Sequence, residues 1–293
     1  MSQLIELIRH SVIGADREIT TPFGQKPLIY ADYTASGRAL GFIEDFIRDR
    51  VLPWYANTHT ETSFTGAQTT ALREQAREEI RKAVKGTKED QIIFCGSGAT
   101  AAINKIIDIL GLRLPHDLAS RYSLLSAIPA QERPVVFIGP YEHHSNELPW
   151  RESIADVEAI PLDDEGQISL LALEAALHKY RDRALKIGSF SAASNVTGIK
   201  SDVKAVTRLL KRQGALAFWD YAAAAPYVDI DMNGSADEGE PAILDAAFIS
   251  PHKFLAGPGT SGVLVAKRSI LKNTIPAVVG GGTVKYVTPE DHR

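Results

Sequence analysis

The chain has one cysteine, Cys95. A single thiol excludes an intramolecular disulfide and a zinc site built on several cysteines, and it fits a reducing, cytoplasmic location. No apolar run reaches the ~20 residues of a membrane span. The N-terminus, Met1-Ser2-Gln3-Leu4-Ile5-Glu6, lacks the basic-then-apolar form of a signal peptide. Neither sign of charge dominates. There are 32 Lys and Arg against 36 Asp and Glu, well mixed, so nothing suggests a nucleic-acid or anionic-membrane surface. Internal repeats and low-complexity tracts are absent. What is present is ordinary globular material: 44% of the 293 residues are hydrophobic and 23% charged, enough for a large core in one α/β domain or two smaller ones.

The apolar pattern alternates between strand and helix. Leu4, Ile5, Ile8 and Val12 at helical spacing predict a short amphipathic helix over 2–13. Residues 22–27 read as a turn-rich connector, Leu28 to Asp32 as a short strand and Gly41 to Val51 as a helix. Tyr55 to Thr70 is Thr-rich and holds His59; it reads as a loop lining something. Leu72, Ala76, Ile80 and Val84 stripe a helix from Thr69 to Val84, stopped by Gly86. A strand at 91–95 leads into Gly96-Ser97-Gly98-Ala99-Thr100 and a helix to Leu110. Residues 112–133 read as an exposed excursion. Strands are then expected at 135–139, 185–191, 215–220, 246–250 and 262–266, with helices at 170–180 and from Ser201, as cap, to Lys211. Such alternation means a mostly parallel sheet covered on both faces.

In an open α/β sheet, ligands bind at the carboxyl ends of the strands. Five expected strand ends in a row carry polar or ionisable groups: Gly98-Ala99-Thr100, Glu142-His143-His144-Ser145-Asn146, Ser194-Asn195-Val196-Thr197-Gly198, Asp220, and Ser250-Pro251-His252-Lys253. Backbone N–H groups at a helix start, with the Thr100 hydroxyl, make an anion cradle. Asp220 ends an otherwise apolar strand and needs a cationic partner or several donors. A partly buried Lys253 beside other cations would have a lowered pKa and a nucleophilic amine. His143 could lie on an aromatic ring, and Asn195 could donate to a ring oxygen. Together these groups match pyridoxal phosphate.

Five segments in this order, Tyr30 to Ser36, Ser97 to Asn104, Glu142 to Trp150, Ser194 to Gly198 with Asp220, and Ser250 to Lys253, resemble the class V aminotransferase family of fold-type I pyridoxal-phosphate enzymes, in its cysteine desulfurase-like branch. The resemblance implies a three-layer large α/β domain over 28–293 with a mostly parallel seven-stranded sheet, preceded by an N-terminal helix and arm at 1–27. It implies a Schiff base on Lys253, phosphate contacts from Ala99, Thr100, Ser250 and His252, ring stacking by His143, and Asp220 on the pyridine nitrogen. Gly98 belongs to the cradle, and Asn195 lies near the ring oxygen and substrate. His59 and Ala35 fall on the substrate side. Gly280-Gly281-Gly282-Thr283 is the candidate for reaching a partner's phosphate in a homodimer. The implied activity is cysteine desulfurase-like lyase chemistry on a small amino acid. An aminotransferase or epimerase, or a truncated cofactor-binding protein without turnover, is the alternative.

The sequence departs from the family in two places. Ala223 stands where the family commonly has Gln, and the chain stops at Arg293, before the family's C-terminal small domain. Cys95 does not occupy the family's nucleophile position, so this chain is expected to bind cofactor without completing persulfide turnover. Competing motifs are weaker. Gly96-Ser97-Gly98-Ala99-Thr100-Ala101 fits a dinucleotide fingerprint, but the acidic residue expected about 20 positions on is absent. His59-Thr60-Glu61 lacks the Pro-Cys-x-x-Cys of zinc deaminases, and no metal site is expected. Retention of Lys253 and Asp220, neither needed for folding, argues against a scaffold that keeps only the fold.

Overall fold

The computed structural model describes residues 3–58, 60–234, 239–280, 282, 284 and 286–291. The chain opens with helix α1 (Gln3–Ser11) and an antiparallel hairpin, β1 (Glu18–Thr21) and β2 (Gly24–Pro27). Helices α2 (Gly41–Phe46) and α3 (Phe64–Ala83) follow. The central sheet comprises β3 (Asp90–Cys95), β4 (Val135–Ile138), β5 (Asp156–Ala159), β6 (Lys186–Ser191), β7 (Leu216–Asp220), β8 (Ala246–Ile249) and β9 (Gly262–Lys267). Between them run α4 (Gly98–Ile109), α5 (His116–Arg121), α6 (Leu124–Ala127), α7 (Leu148–Arg151), α8 (Leu170–Lys179) and α9 (Val203–Arg212).

The spatial order of the sheet is β3-β9-β8-β7-β6-β4-β5. From β8 to β5 every pairing is parallel, whereas β9 is antiparallel to both its neighbours. β3 therefore points the same way as β8, and every strand but β9 ends on one edge. β4 (Val-Val-Phe-Ile) and β8 (Ala-Ala-Phe-Ile) are buried along their whole length, as expected of strands covered on both faces. Alternate residues feed two cores. Phe137, Phe190 and Trp219 pack with Val84, Leu173, Leu177, Val206 and Leu210 of α3, α8 and α9 and their ends. Val136, Phe218 and Phe248 pack with Ile103, Ile106, Ile107 and Trp150 of α4 and α7. The result is the expected three-layer α/β architecture with a mostly parallel seven-stranded sheet.

Several sequence expectations are corrected. Residues 28–32 form no strand; Ile29 is 87% exposed, so this apolar run has no sheet to join. The seventh strand is instead the edge strand β5, whose Asp156 and Glu158 pair with Arg183 and Lys179. The stretch read as a connector at 22–27 is half of the β1–β2 hairpin. Helix α3 starts at Phe64 rather than Thr69, because the Ser63 side chain accepts from the Gly66 N–H and caps it. Helix α9 is capped by Asp202, which accepts from Ala205 N at 2.9 Å, while the Ser201 hydroxyl donates to Ser191 O at 2.7 Å. Among the described residues, no helix is long and apolar enough to cross a membrane.

Candidate active site

A cavity of about 570 Å³ opens at the shared edge where the co-directional strands end. It is lined by residues from all five polar strand ends, including Thr100, His143, Asn195, Asp220 and Lys253. Ala35 lines it as well, on a segment pinned from the other side. There, Gly37 N donates to His252 O at 2.8 Å and Ala256 N to Arg38 O at 2.8 Å. The approach is so close that a Cβ on residue 37 would lie 1.7 Å from Phe254 O. The strap and the lysine turn are therefore one packed unit.

The anion cradle is built at the start of α4. Its N-cap, Ser97, makes no side-chain cap, and Ala99 N donates to Ser250 Oγ at 2.8 Å. The N–H groups of Gly98 and Thr100 have no protein acceptor among the described residues. Gly98 has φ +59°, and a Cβ there would meet His252 Cε1 at 2.8 Å and Ser250 Oγ at 3.1 Å. Glycine is what allows the residues before Lys253 to close on the helix end. Free N–H donors at the positive end of a twelve-residue helix suit a phosphate or carboxylate.

Asp220 is buried at the end of β7. Its Oδ1 accepts from Ala222 N at 2.8 Å, and no cation pairs with it among the described residues. Burial raises its carboxyl to about 6, with the Ala222 N–H and the charge of Lys253 opposing. The other buried aspartates differ. Asp90 pairs with Lys267 at 2.8 Å and Asp245 with Lys211 at 2.8 Å. Those two are paired with lysines, whereas Asp220 accepts from one amide, has no cation paired with it among the described residues, and faces a cavity. Lys253 is half-buried, and burial lowers its pKa despite the opposing charges of Asp220 and Asp32. Its amine is thereby moved toward the neutral, nucleophilic form. His252 is lowered by burial and by Lys253.

The loop carrying His143 is tied down by a network that sequence reasoning did not foresee. Glu142 Oε1 accepts from Gly139 N at 3.2 Å and Ser191 N at 2.9 Å, and Oε2 accepts from Ser191 Oγ at 2.8 Å and Asn146 Nδ2 at 2.5 Å. Burial raises this carboxyl to about 7, and the charge of Asp220 adds to the rise. Trp150, fully buried, donates from Nε1 to Ser189 Oγ at 3.2 Å. Only the spacing Glu142–Asn146, with Trp150 four residues on, hinted at this. Burial, Lys253 and His144 lower the pKa of His143. Asn195 is exposed at the cavity wall, and Ala222 and Ala223 add only methyl groups there. Cys95 is buried on β3 and does not line the cavity; burial raises its thiol pKa. His59 and Thr283 lie outside the described residues.

Chemically, the cavity offers an anion cradle, a carboxylate with no ion-pair partner among the described residues, an amine of lowered pKa and an imidazole. It can hold a flat, phosphorylated aromatic carrying a basic ring nitrogen and a carbonyl.

Comparison with known proteins points the same way. The family described as Aminotransferase class-V matches residues 29–293. A "Probable cysteine desulfurase" of Halalkalibacterium halodurans is 28% identical over 265 residues, covering 89% of this chain and 58% of that protein. Another of Streptomyces coelicolor is 26% identical, covering 97% of this chain and 62% of the relative. The chain thus spans about three-fifths of the length of these curated relatives. Among solved structures, the apo cysteine desulfurase of Thermococcus onnurineus superposes with a TM-score of 0.75 at 22% identity, over 98% of this chain and 63% of that one. A structure described as SspA in complex with cysteine gives 0.62 at 21%, over 81% and 60%. These structural likenesses speak to the fold.

Proposed function

The chain belongs to the class V aminotransferase family, and we propose that it binds pyridoxal 5′-phosphate through Lys253 and acts on a small amino acid by cysteine desulfurase-like lyase chemistry. One observation carries the reading: Asp220 is a buried carboxylate with, among the described residues, a single amide donor and no ion-pair partner, and a cavity before it. A protonated pyridine nitrogen is the partner it lacks. The bound cofactor supplies an electron sink for bonds at the Cα of an amino acid.

The chain's own residues then have distinct tasks. Gly98 and Thr100 N–H, the Thr100 and Ser250 hydroxyls, Ala99 and His252 receive the phosphate. Asp220 holds the ring nitrogen in its protonated form. Lys253 supplies the amine for covalent attachment and, once released, a base. His143 covers the ring, and Asn195 reaches the ring oxygen or the substrate. Ala35 and His59 border the substrate, and Thr283 serves a partner's site. Residues 1–27 act as helix and arm, and 28–293 as the cofactor domain.

We assign the working form as a cytoplasmic homodimer. Phe23 at 86%, Ile29 at 87% and Phe64 at 70% exposure support an apolar surface that is covered in use. Relatives named cysteine desulfurase support cysteine as substrate. The alternative is aminotransferase or epimerase chemistry on the same cofactor; Cys95 is buried and does not line the cavity. The products separate the two, since only a desulfurase releases sulfur from cysteine.

The test of the proposal is thermal denaturation with pyridoxal 5′-phosphate against NAD. Ligand bound only by the folded state stabilises it by about 2.7 kcal/mol at a hundred times Kd. Stabilisation by pyridoxal phosphate alone is expected. Stabilisation by NAD alone would overturn the reading.

A further inference from the structure

The geometry points to Ser145 as a positioning residue that holds His143 in its neutral Nε2–H tautomer, so that the ring offers the cavity a hydrogen-bond donor and no free lone pair. Its catalytic meaning rests on the pyridoxal-phosphate reading; the tautomer itself does not.

Three contacts carry the inference. Ser145 N donates to His143 Nδ1 at 3.1 Å. His143 Nδ1 and Ser145 Oγ are 3.0 Å apart. Thr100 Oγ1 donates to Ser145 Oγ at 2.8 Å. A backbone N–H can only donate, so Nδ1 accepts and carries no proton. That fixes the direction of the second contact: Ser145 Oγ–H donates to Nδ1. The Thr100 proton occupies a lone pair of the same oxygen and turns the Ser145 proton toward the ring. The neutral ring then bears its one proton on Nε2, which has no protein partner among the described residues.

Two residues distant in sequence thus share the task, one on α4 and one in the turn after β4. The charged and titratable groups around the ring do not reverse it. Lys253 and His144 disfavour a second proton on His143, and His252 and Asp220 line the same cavity. Glu142, next in the chain, is engaged with Ser191 and Asn146 rather than with the ring. An anion in the cradle would draw the Thr100 proton to itself, since a charged acceptor binds it more strongly than a hydroxyl. The Ser145 backbone N–H would still donate to Nδ1, so the accepting role of Nδ1 does not depend on cradle occupancy.

The consequence concerns who moves protons. With Nε2 already protonated and the single Nδ1 lone pair taken up by Ser145, the neutral ring in this tautomer has no lone pair at Nε2 to take a proton from a substrate. It can donate a hydrogen bond to a substrate heteroatom and cover a ring. The Lys253 amine, with its lowered pKa, lines the same cavity and can accept a proton.

The experiment is long-range ¹H–¹⁵N correlation NMR on the ligand-free 293-residue chain labelled in histidine, near pH 8, with and without inorganic phosphate. The His143 signals are identified by their loss in His143→Asn. We expect a pyridine-like Nδ1 and a pyrrole-like Nε2, unchanged by phosphate. In Ser145→Ala the remaining N–H holds the ring less firmly, and the tautomer ratio should fall about five-fold, roughly what one ordinary hydrogen bond is worth. Ser145→Thr should restore it. A merely structural role for Ser145 would alter melting temperature and leave the Nδ1 shift where it was. A pyrrole-like Nδ1 in the wild type, or an unchanged Nδ1 shift in Ser145→Ala, would overturn the assignment. Failure of pyridoxal phosphate to bind, with the tautomer as stated, would refute the proposed function and leave this inference standing.

Discussion

Replacing Asp220 by Asn should make the ligand-free protein more stable and the cofactor-loaded protein weaker. The folded state raises this carboxyl from 3.8 to about 6, chiefly by burial. In the unfolded chain the group ionises near its ordinary value. Between that value and about pH 6 the folded form therefore binds the extra proton, and stability falls as pH rises across the window. Above it the full penalty stands, and at 1.36 kcal/mol per pH unit it amounts to about 3 kcal/mol. Asp220→Asn keeps the side-chain oxygen that accepts from Ala222 N and removes the charge. It also removes the charge that helps to raise Glu142. Ligand-free Asp220→Asn should therefore melt about 6 °C above wild type at pH 8, at about 2 °C per kcal/mol for a chain of this size. At pH 4 the gain should nearly vanish. With saturating pyridoxal 5′-phosphate the order should invert, because only the aspartate meets a pyridinium. A ligand-free variant no more stable than wild type at pH 8, or one whose gain persists at pH 4, would refute the claim that Asp220 is held charged at the fold's expense.

Two further outcomes follow from close packing. Gly98→Ala forces a side chain to φ +59° and toward His252 Cε1 at 2.8 Å; it should cost about 1–2 kcal/mol and weaken phosphate binding in calorimetry, whereas an unchanged affinity would remove Gly98 from the cradle. Cys95 lies on β3 opposite Gly262 of β9, buried and with its Sγ 3.7 Å from Gly262 O, so a thiol reagent should label it only on unfolding, and Cys95→Ala should bind pyridoxal phosphate as wild type does; rapid native labelling would contradict its placement.

The strand ends were legible because the sheet has one edge on which co-directional strands finish, and each of five buried runs is followed at once by polar groups. The sequence also marks Asp220 directly, since Ala-Phe-Trp before it leaves a carboxylate with no local partner. What escaped was decided by contacts distant in sequence or by competing local signals. β5 is short and alternates acid with apolar residues, so it reads as loop until Arg183 and Lys179 neutralise it. The first turn of α3, Phe64-Thr65-Gly66, has poor helix formers, and its cap outweighs propensity. Leu28 to Tyr30 is apolar, yet among the described residues no neighbouring strand accepts it. The bonds from Thr100 to Ser145 and from Ala99 to Ser250 join residues 45 and 151 positions apart, and no spacing rule reaches that far.

The central claim is that Lys253 carries the cofactor. The direct measurement is to incubate the chain with pyridoxal 5′-phosphate, reduce it with borohydride, digest it and locate the added mass. The account predicts a phosphopyridoxyl group on the peptide bearing Lys253, and none in Lys253→Ala, which still gains stability from inorganic phosphate at the Gly98–Thr100 cradle. An adduct on another lysine, or one that persists undiminished in Lys253→Ala, would contradict it.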